Sequence, residues 1–317
     1  MNIKNEIKNL LFKIVPYESF LKIMYKHLFK KNLDLNNPKR LTEKLFWLKA
    51  YNGQYKHEII KKCYDKYRVR DYIADKLGTD KYLPKLYGIY DDANMIDFKN
   101  LPSKYVLKIT QGCGLNIVNS GSLNDKKEEI RNNLKEWLEN TNNGKYSNDN
   151  LAEAYCYDGN SKIICEEYLG EPEILTEKMF FCINGKVELL YTNFEYLDED
   201  GNFKKKWIRN VYDKDLNFID VQMCVENDKY LKIVDNGNIN EMVKIAEKLS
   251  EDFPFVRVDM YDINGRIVVG ELTFIPHGGF LSIDPIEYDY VWGELLELPN
   301  VSIDFKAVKK KCLDSFK

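Results

Sequence analysis

Apolar positions recur at two different spacings along this 317-residue chain, and the change of spacing divides it. Near the N-terminus Ile3, Ile7, Leu10, Leu11 and Ile14 recur every three or four residues, and so do Leu21, Met24 and Leu28. That period predicts two short amphipathic helices broken near Pro16. Helices are also expected over Leu41–Ala50 and His57–Leu77, with Gly78 as the stop of the second, and over the polar stretch Asp125–Asn140. Leu86–Tyr90 and Tyr105–Ile109 read as strands, and Thr110–Asn116, with Gly112 and Gly114, as a loop. Asn142 to Asn150 is the expected mobile linker or inner boundary. Beyond it the texture is strand-like: Lys162–Leu169, Met179–Ile183, Val187–Thr192, Trp207–Tyr212, Phe255–Tyr261 and Arg266–Thr273. Asn184-Gly185 and Asn264-Gly265 are hairpin turns, and Asp198–Asn202 is a further turn. A helix over Ile239–Phe253 returns between the hairpins, with Ile239, Met242, Val243, Ala246 and Leu249 on its apolar face. The succession predicts an α+β fold with two or three lobes.

Charge narrows the function. The chain carries 47 Lys/Arg and 50 Asp/Glu, a net charge of −3, so a general nucleic-acid binder is disfavoured. The charge is not even: residues 1–40 hold nine basic and three acidic residues, and the remainder carries −9. The first two helices therefore either pack their apolar stripe on the body or, through residues 1–35, touch a membrane or a partner. No apolar run is long enough to span a bilayer, and no uninterrupted signal-peptide core is present. Seven scattered cysteines without a C-x-x-C pair suit a reducing cytoplasm, where the protein is expected, with the inner membrane face as the second option.

Three segments carry candidate chemistry. Lys108, at the end of an apolar strand, is followed by Thr110-Gln111-Gly112-Cys113-Gly114, which suits phosphates because glycines let backbone N–H groups approach and the ammonium neutralises charge. It lacks the Gly-Lys-Ser/Thr of a Walker loop. Phe255–Tyr261 puts Arg257 and Asp259 on one face of its strand, and the partner strand carries Glu271 and Thr273 together. Two carboxylates on adjacent strands suit Mg²⁺, but a plain two-residue turn at Asn264-Gly265 would set Asp259 and Glu271 on opposite faces. An exposed charged hairpin and a metal site are both open on this pattern; a bulge or an odd loop would favour the second. Ile163–Glu171 runs from an apolar strand into Glu166-Glu167-Tyr168-Leu169, a candidate purine hinge. Asp65–Arg70 alone reads as a solvated helix face.

Taken in order, these segments resemble the ATP-grasp superfamily, in which D-alanine–D-alanine ligases show the same succession. The closer resemblance is to the TupA-like ATP-grasp family of surface-polysaccharide biosynthesis, carried by Pro38–Trp47, Asp65–Arg70, Leu101–Gly114, Lys178–Lys186, Val256–Tyr261 and Gly270–Phe274. The resemblance implies an ATP-grasp fold with an N-terminal helical extension: residues 1–60 helical, 61–100 linking, 101–170 a small lobe with the glycine-rich lid, and 171–317 a large lobe. It implies that Lys66 and Lys108 bind ATP phosphates under a lid formed by Gly112 and Gly114. Glu166, Glu167 and Leu169 would frame the adenine, and Glu171 or Glu173 the ribose. Asp259 and Glu271, with Thr273, would hold Mg²⁺, and Arg257 would stabilise the transferred phosphoryl group. Lys178 and Arg209 are further candidates for phosphate or acyl-phosphate contact. The implied activity is ATP-dependent joining of a carboxylate, such as a sugar acid, to an amine. The alternatives are a kinase or glycosyltransferase-type transferase, or a non-catalytic binding protein. Two departures stand out: Gln111-Gly112-Cys113-Gly114 replaces the family's frequent His-Gly-Ser-Gly, and Thr273 replaces a common Asn. Cys113 is expected to be a small lid residue rather than a nucleophile. The role of His277, just past the metal strand, is left open.

Overall fold

The computed structural model describes residues 3–121, 126–144, 147–170, 177–194 and 206–315. Five helices come first: α1 (Ile3–Ile14), α2 (Tyr17–Phe29), α3 (Leu41–Tyr51), α4 (His57–Tyr64) and α5 (Val69–Leu77). The helix expected over His57–Leu77 is therefore two. Asp65 divides it, because its carboxylate accepts from the Tyr67 and Arg68 N–H groups and starts α5 afresh. Gly78 ends α5 in the left-handed conformation, with φ of 67°.

The first sheet follows: β1 (Leu86–Tyr90), β2 (Tyr105–Ile109), β3 (Asn116–Asn119) and, after α6 (Lys127–Asn142), β4 (Ile163–Glu167). Its order is β1-β4-β2-β3, so β1 lies within the segment expected to link. One face, bearing Leu107, Ile109, Ile163 and Cys165, packs on Ile130, Leu134 and Leu138 of α6. Period two sends Val106, Lys108, Ile164 and Glu166 to the other face.

The second sheet comprises β5 (Glu177–Ile183), β6 (Lys186–Phe194), β7 (Ile208–Tyr212) and β8 (Phe218–Ile219). A short β9 (Gln222–Met223) and helix α7 (Ile239–Ser250) lead to β10 (Phe255–Ile263) and β11 (Arg266–Thr273). The order is β11-β10-β5-β6-β7-β8, and every pairing among the described strands is antiparallel. Helix α7 covers the back of this sheet through Met242, Ile245, Ala246 and Leu249, with Ile245 more deeply placed than the expected Val243. Both Asn-Gly turns have positive φ at both residues, as two-residue hairpins with a right-handed twist require. The expected turn Asp198–Asn202 lies outside the described residues.

The chain closes with β12 (Ile283–Asp284), which pairs with β9, then α8 (Glu287–Leu295) and α9 (Phe305–Asp314). These last helices return to the N-terminal ones. Asp289 of α8 accepts from the Thr42 N–H at 2.9 Å and its hydroxyl at 2.7 Å, satisfying donors at the start of α3. Lys309 of α9 donates to the carbonyls of Lys13 and Val15, at the C-terminal end of α1. Among the described residues no helix is long and apolar enough to cross a membrane.

Helix α8 approaches the start of α3 so closely that a Cβ on Gly293 would lie 2.1 Å from the Lys39 carbonyl oxygen and 2.7 Å from the Leu41 nitrogen. Backbone cannot yield as a flexible side chain can. Gly293→Ala should therefore cost ~1–3 kcal/mol, read as a lower urea midpoint at unchanged slope. An unshifted midpoint would refute this contact.

Candidate functional site

The hairpin of β10 and β11 decides whether two carboxylates meet. From the Asn264-Gly265 turn the pairing runs Ile263↔Arg266 to Met260↔Val269, and then becomes Asp259↔Glu271. The extra residue is Gly270, a β-bulge that restores the parity the turn would have spoiled. A side chain there would press on the Tyr261 ring, 2.9 Å from a Cβ. Asp259 and Glu271 are consequently direct cross-strand neighbours, and Arg257 stands opposite Thr273.

Arg257 organises this face. Its Nε and Nη2 donate to both oxygens of Asp259 at 2.7 and 2.5 Å, and its Nη1 to the Tyr191 hydroxyl at 2.9 Å. Nη2 also reaches the Thr273 hydroxyl at 3.0 Å, which in turn donates to Glu271 at 2.7 Å. Burial alone would weaken the charge of Arg257, but Asp259, Tyr191 and Glu271 hold its pKa well above the ordinary value. Asp259 moves the other way: burial, assisted by Glu271, lifts its carboxyl to about 6 even though Arg257 opposes this. A third carboxylate, Glu177, shares the face because β5 pairs Glu177 with Tyr261 and Met179 with Asp259. Burial and then Asp259 push it up to about 8. Asp259 and Glu271, facing each other across the strand pair, suit a cation, so these residues fit Mg²⁺. Among the described residues no three His, Cys, Asp or Glu side chains form a ready metal cluster. Two carboxylates suffice for an ion that completes its shell with phosphate oxygens and water.

The cations come from the other sheet and from the start of α5. Lys66 donates to the Gly112 carbonyl at 2.6 Å, and its pKa is lowered by burial and by Lys108 while Glu271 opposes the fall. Lys66, Lys108, Cys113 and Glu271 are thus electrostatic neighbours. Lys108 bonds Glu166 at 2.9 Å, and Arg70 holds the other oxygen of Glu166 at 2.8 Å. The loop between β2 and β3 passes over this region with positive φ at Gly112 and Gly114. Gln111 is buried and anchors the base of the loop: its amide donates to Asp158 at 2.7 Å and to Asp65 at 3.3 Å. Cys113 is exposed, and burial of its sulfur together with Glu271 raises its pKa, so the thiolate is disfavoured.

The hinge acids are both engaged. Glu166 is buried between Lys108 and Arg70, and Glu167 takes a two-bond grip from Arg266 at 2.7 and 2.9 Å. The Glu167–Arg266 pair ties the end of the first sheet to the turn end of the β10–β11 hairpin. Leu169, beyond β4, is half-buried, while Glu171 and Glu173 lie outside the described residues. Lys178 is buried on the opposite face of the second sheet: it pairs with Met260, and its charged neighbours are Asp262 and Asp235. It stands apart from the Arg257 cluster.

Arg209 joins that cluster. It stacks on the Tyr191 ring at 4.2 Å, donates to Asn193 at 2.8 Å and to the Met223 carbonyl at 3.2 Å, and approaches His277 Nε2 at 3.3 Å. Partial burial, then Arg209 and Arg257, push the His277 pKa down to about 4. An uncharged ring accepting from Arg209 at Nε2 carries its proton on Nδ1. Sequence reasoning did not single out Glu177, Tyr191, Arg70 or Gly270. Glu177 was accessible by parity, since it alternates with Met179 and Phe181; Arg70 closes the Asp65–Arg70 segment without being assigned a role, and Tyr191 comes from a strand with no local signature.

A glycine hairpin and two lysines set over an acidic, bulged strand pair, on two antiparallel sheets, define the ATP-grasp class. The chain belongs to the TupA-like ATP-grasp family, whose model matches residues 43–297. Among solved structures it is similar to an L-amino acid ligase from Bacillus licheniformis, with 12% identity, 83% of this chain and 56% of that chain covered, and a TM-score of 0.47. It is also similar to a D-alanine–D-alanine ligase from Helicobacter pylori, with 14% identity, 80% and 58% covered, and a TM-score of 0.38. The chain therefore spans little more than half the length of either ligase. A search of curated proteins gives no match.

His277 supplies a pH test of the site. Its folded pKa lies below the ordinary 6.5, so the unfolded chain takes up this proton first. The contribution to stability is complete above 6.5 and is lost as pH falls from there toward 4. His277→Gln should flatten the decline in melting temperature across that window; an unchanged decline would show that the imidazole is not held uncharged.

Proposed function

We propose that this protein is an ATP-dependent carboxylate–amine ligase acting through an acyl phosphate. The carrying observation is the register shift at Gly270, which sets Asp259 against Glu271 within electrostatic reach of Lys66. Family membership supports the same reading. Lys66 and Lys108 neutralise the triphosphate, and the loop at Gly112 and Gly114 closes over it. Asp259, Glu271 and Thr273 would hold Mg²⁺, which supplies charge neutralisation at the phosphate oxygens when bound. Glu166 to Leu169 frame the adenine, with Glu166 and Glu167 fixed by their ion pairs. The substrate carboxylate attacks the γ-phosphorus, the bond to ADP breaks, and an acyl phosphate forms. Arg257, oriented by Asp259 and Tyr191, stabilises charge on the phosphoryl group in flight. The amine then attacks the acyl carbon, loses a proton and expels phosphate, leaving an amide. Arg209, on the same face, holds the acyl-phosphate end. The closed loop keeps water from the intermediate. The substrates we favour are a sugar acid of a surface polysaccharide and an amine, joined on the cytoplasmic side where ATP is supplied.

Nucleotide binding comes first as a test. ATP at about 100 times its Kd stabilises by ~2.7 kcal/mol, a readable melting shift. The shift should depend on Mg²⁺, vanish in Lys108→Ala, and lose its Mg²⁺ dependence in Glu271→Gln. Turnover should release ADP and phosphate only when acid and amine are both present, and Arg257→Ala should lower it by about a thousandfold. ADP with a phosphorylated acceptor would instead make the enzyme a kinase. A shift with sugar nucleotides but not ATP would sink the ligase reading.

A further inference from the structure

Helix α1 is apolar on two sides and uses only one. Leu11 and Val15 pack against the core and Phe12 is buried, with the Lys309 ammonium above its ring. Ile7, Leu10 and Ile14 face outward, 62%, 59% and 70% exposed. At ~100° per residue these three positions lie within about 60° of one another, so they form one continuous stripe. The neighbouring α2 adds Ile23, 42% exposed, while its Tyr17, Phe20, Leu21 and Tyr25 are buried. Lys13 of α1 and Lys26 of α2, with Lys30 and Lys31 just beyond α2, are exposed.

We propose that the stripe Ile7–Leu10–Ile14, with these lysines, docks on the headgroup region of an anionic lipid membrane. The charge distribution selects that occupant. Residues 1–40 carry +6 and the remainder −9, so an anionic surface attracts this end and repels the rest. The molecule is thereby oriented with α1 and α2 toward the lipid. A second copy offering the same face would bring +6 against +6, which disfavours a dimer through the stripe. The hydrogen bonds of Lys309 to the Lys13 and Val15 carbonyls, with its contact over the Phe12 ring, hold the end of α1 to the body, so the stripe is presented from a fixed support. A peripheral contact of this kind needs no spanning segment.

The test is flotation of the full chain with phosphatidylcholine vesicles, with and without phosphatidylglycerol. Wild type should float only with the anionic vesicles, and salt should weaken the binding. The triple substitution Ile7→Ser, Leu10→Ser, Ile14→Ser should lower partition by about tenfold or more. Lys13→Glu with Lys26→Glu should do the same by about fivefold for each lysine lost. The ATP-dependent melting shift is measured on every variant; it should stay as in wild type, which separates this proposal from the ligase reading and reports intact folding. Wild type that stays unbound at low salt would overturn the proposal. So would unchanged flotation of both variants, or a wild-type dimer that the triple substitution converts to monomer.

Discussion

One unpaired residue sets the geometry of the cleft. A two-residue turn fixes an odd sum for every facing pair in the β10–β11 hairpin, and under that rule Asp259 and Glu271 would point to opposite sides. Gly270 adds one position and converts the sum to an even one from Asp259 onward. Only then do Asp259, Glu271, Arg257 and Thr273 share a face, and Arg257 can bond to Asp259 and Thr273 at once. The bulge sits where the strand passes from two successive buried valines to polar residues. On its turn side the hairpin buries Val268 and Val269; past it the strand carries Glu271 and Thr273.

The charges then constrain one another. Three carboxylates on one sheet face repel, and burial keeps water from relieving Asp259. Arg257 offsets one of them, and Lys66, from the turn before α5, approaches another. The ion pair of Glu167 with Arg266 fixes the distance between the sheets at the far end of the cleft. It is partly exposed, so its own contribution to stability is small, and its value lies in register.

Much of this was legible in the sequence, and the gaps have physical reasons. Period two located β1, β2 and β11 to the residue, and the parity of Asp259 and Glu271 shows that they share a face only with an odd loop or a bulge; the bulge is what the strands have. Periodicity carries no account of what a carboxylate does to its own backbone, so the break at Asp65 inside a helical pattern went unread. The strand Asn116–Asn119 has only two apolar residues and is held by pairing with β2, a long-range cause that local pattern cannot show. Lys178 and Glu177 are adjacent and therefore face opposite ways; the motif led to the lysine, whereas the register puts the glutamate beside Asp259.

The loop departure has a structural counterpart. Gln111, at the position where the resemblance implies a histidine, is a neutral bracket between Asp65 and Asp158, and Arg68 pairs with Asp158 at 2.8 Å. An imidazole in that bracket would face two carboxylates and acquire a proton, whereas an amide joins them at any pH. The base of the loop is thus fixed by hydrogen bonds, and the positive-φ glycines beyond it are free of that anchor. A histidine does reach the site, but from the other sheet: His277 follows β11 and stands beside Arg209 with its ring uncharged near neutral pH. Gln111 and His277 thus stand on opposite walls of the cleft, one bracketing two carboxylates and the other beside Arg209.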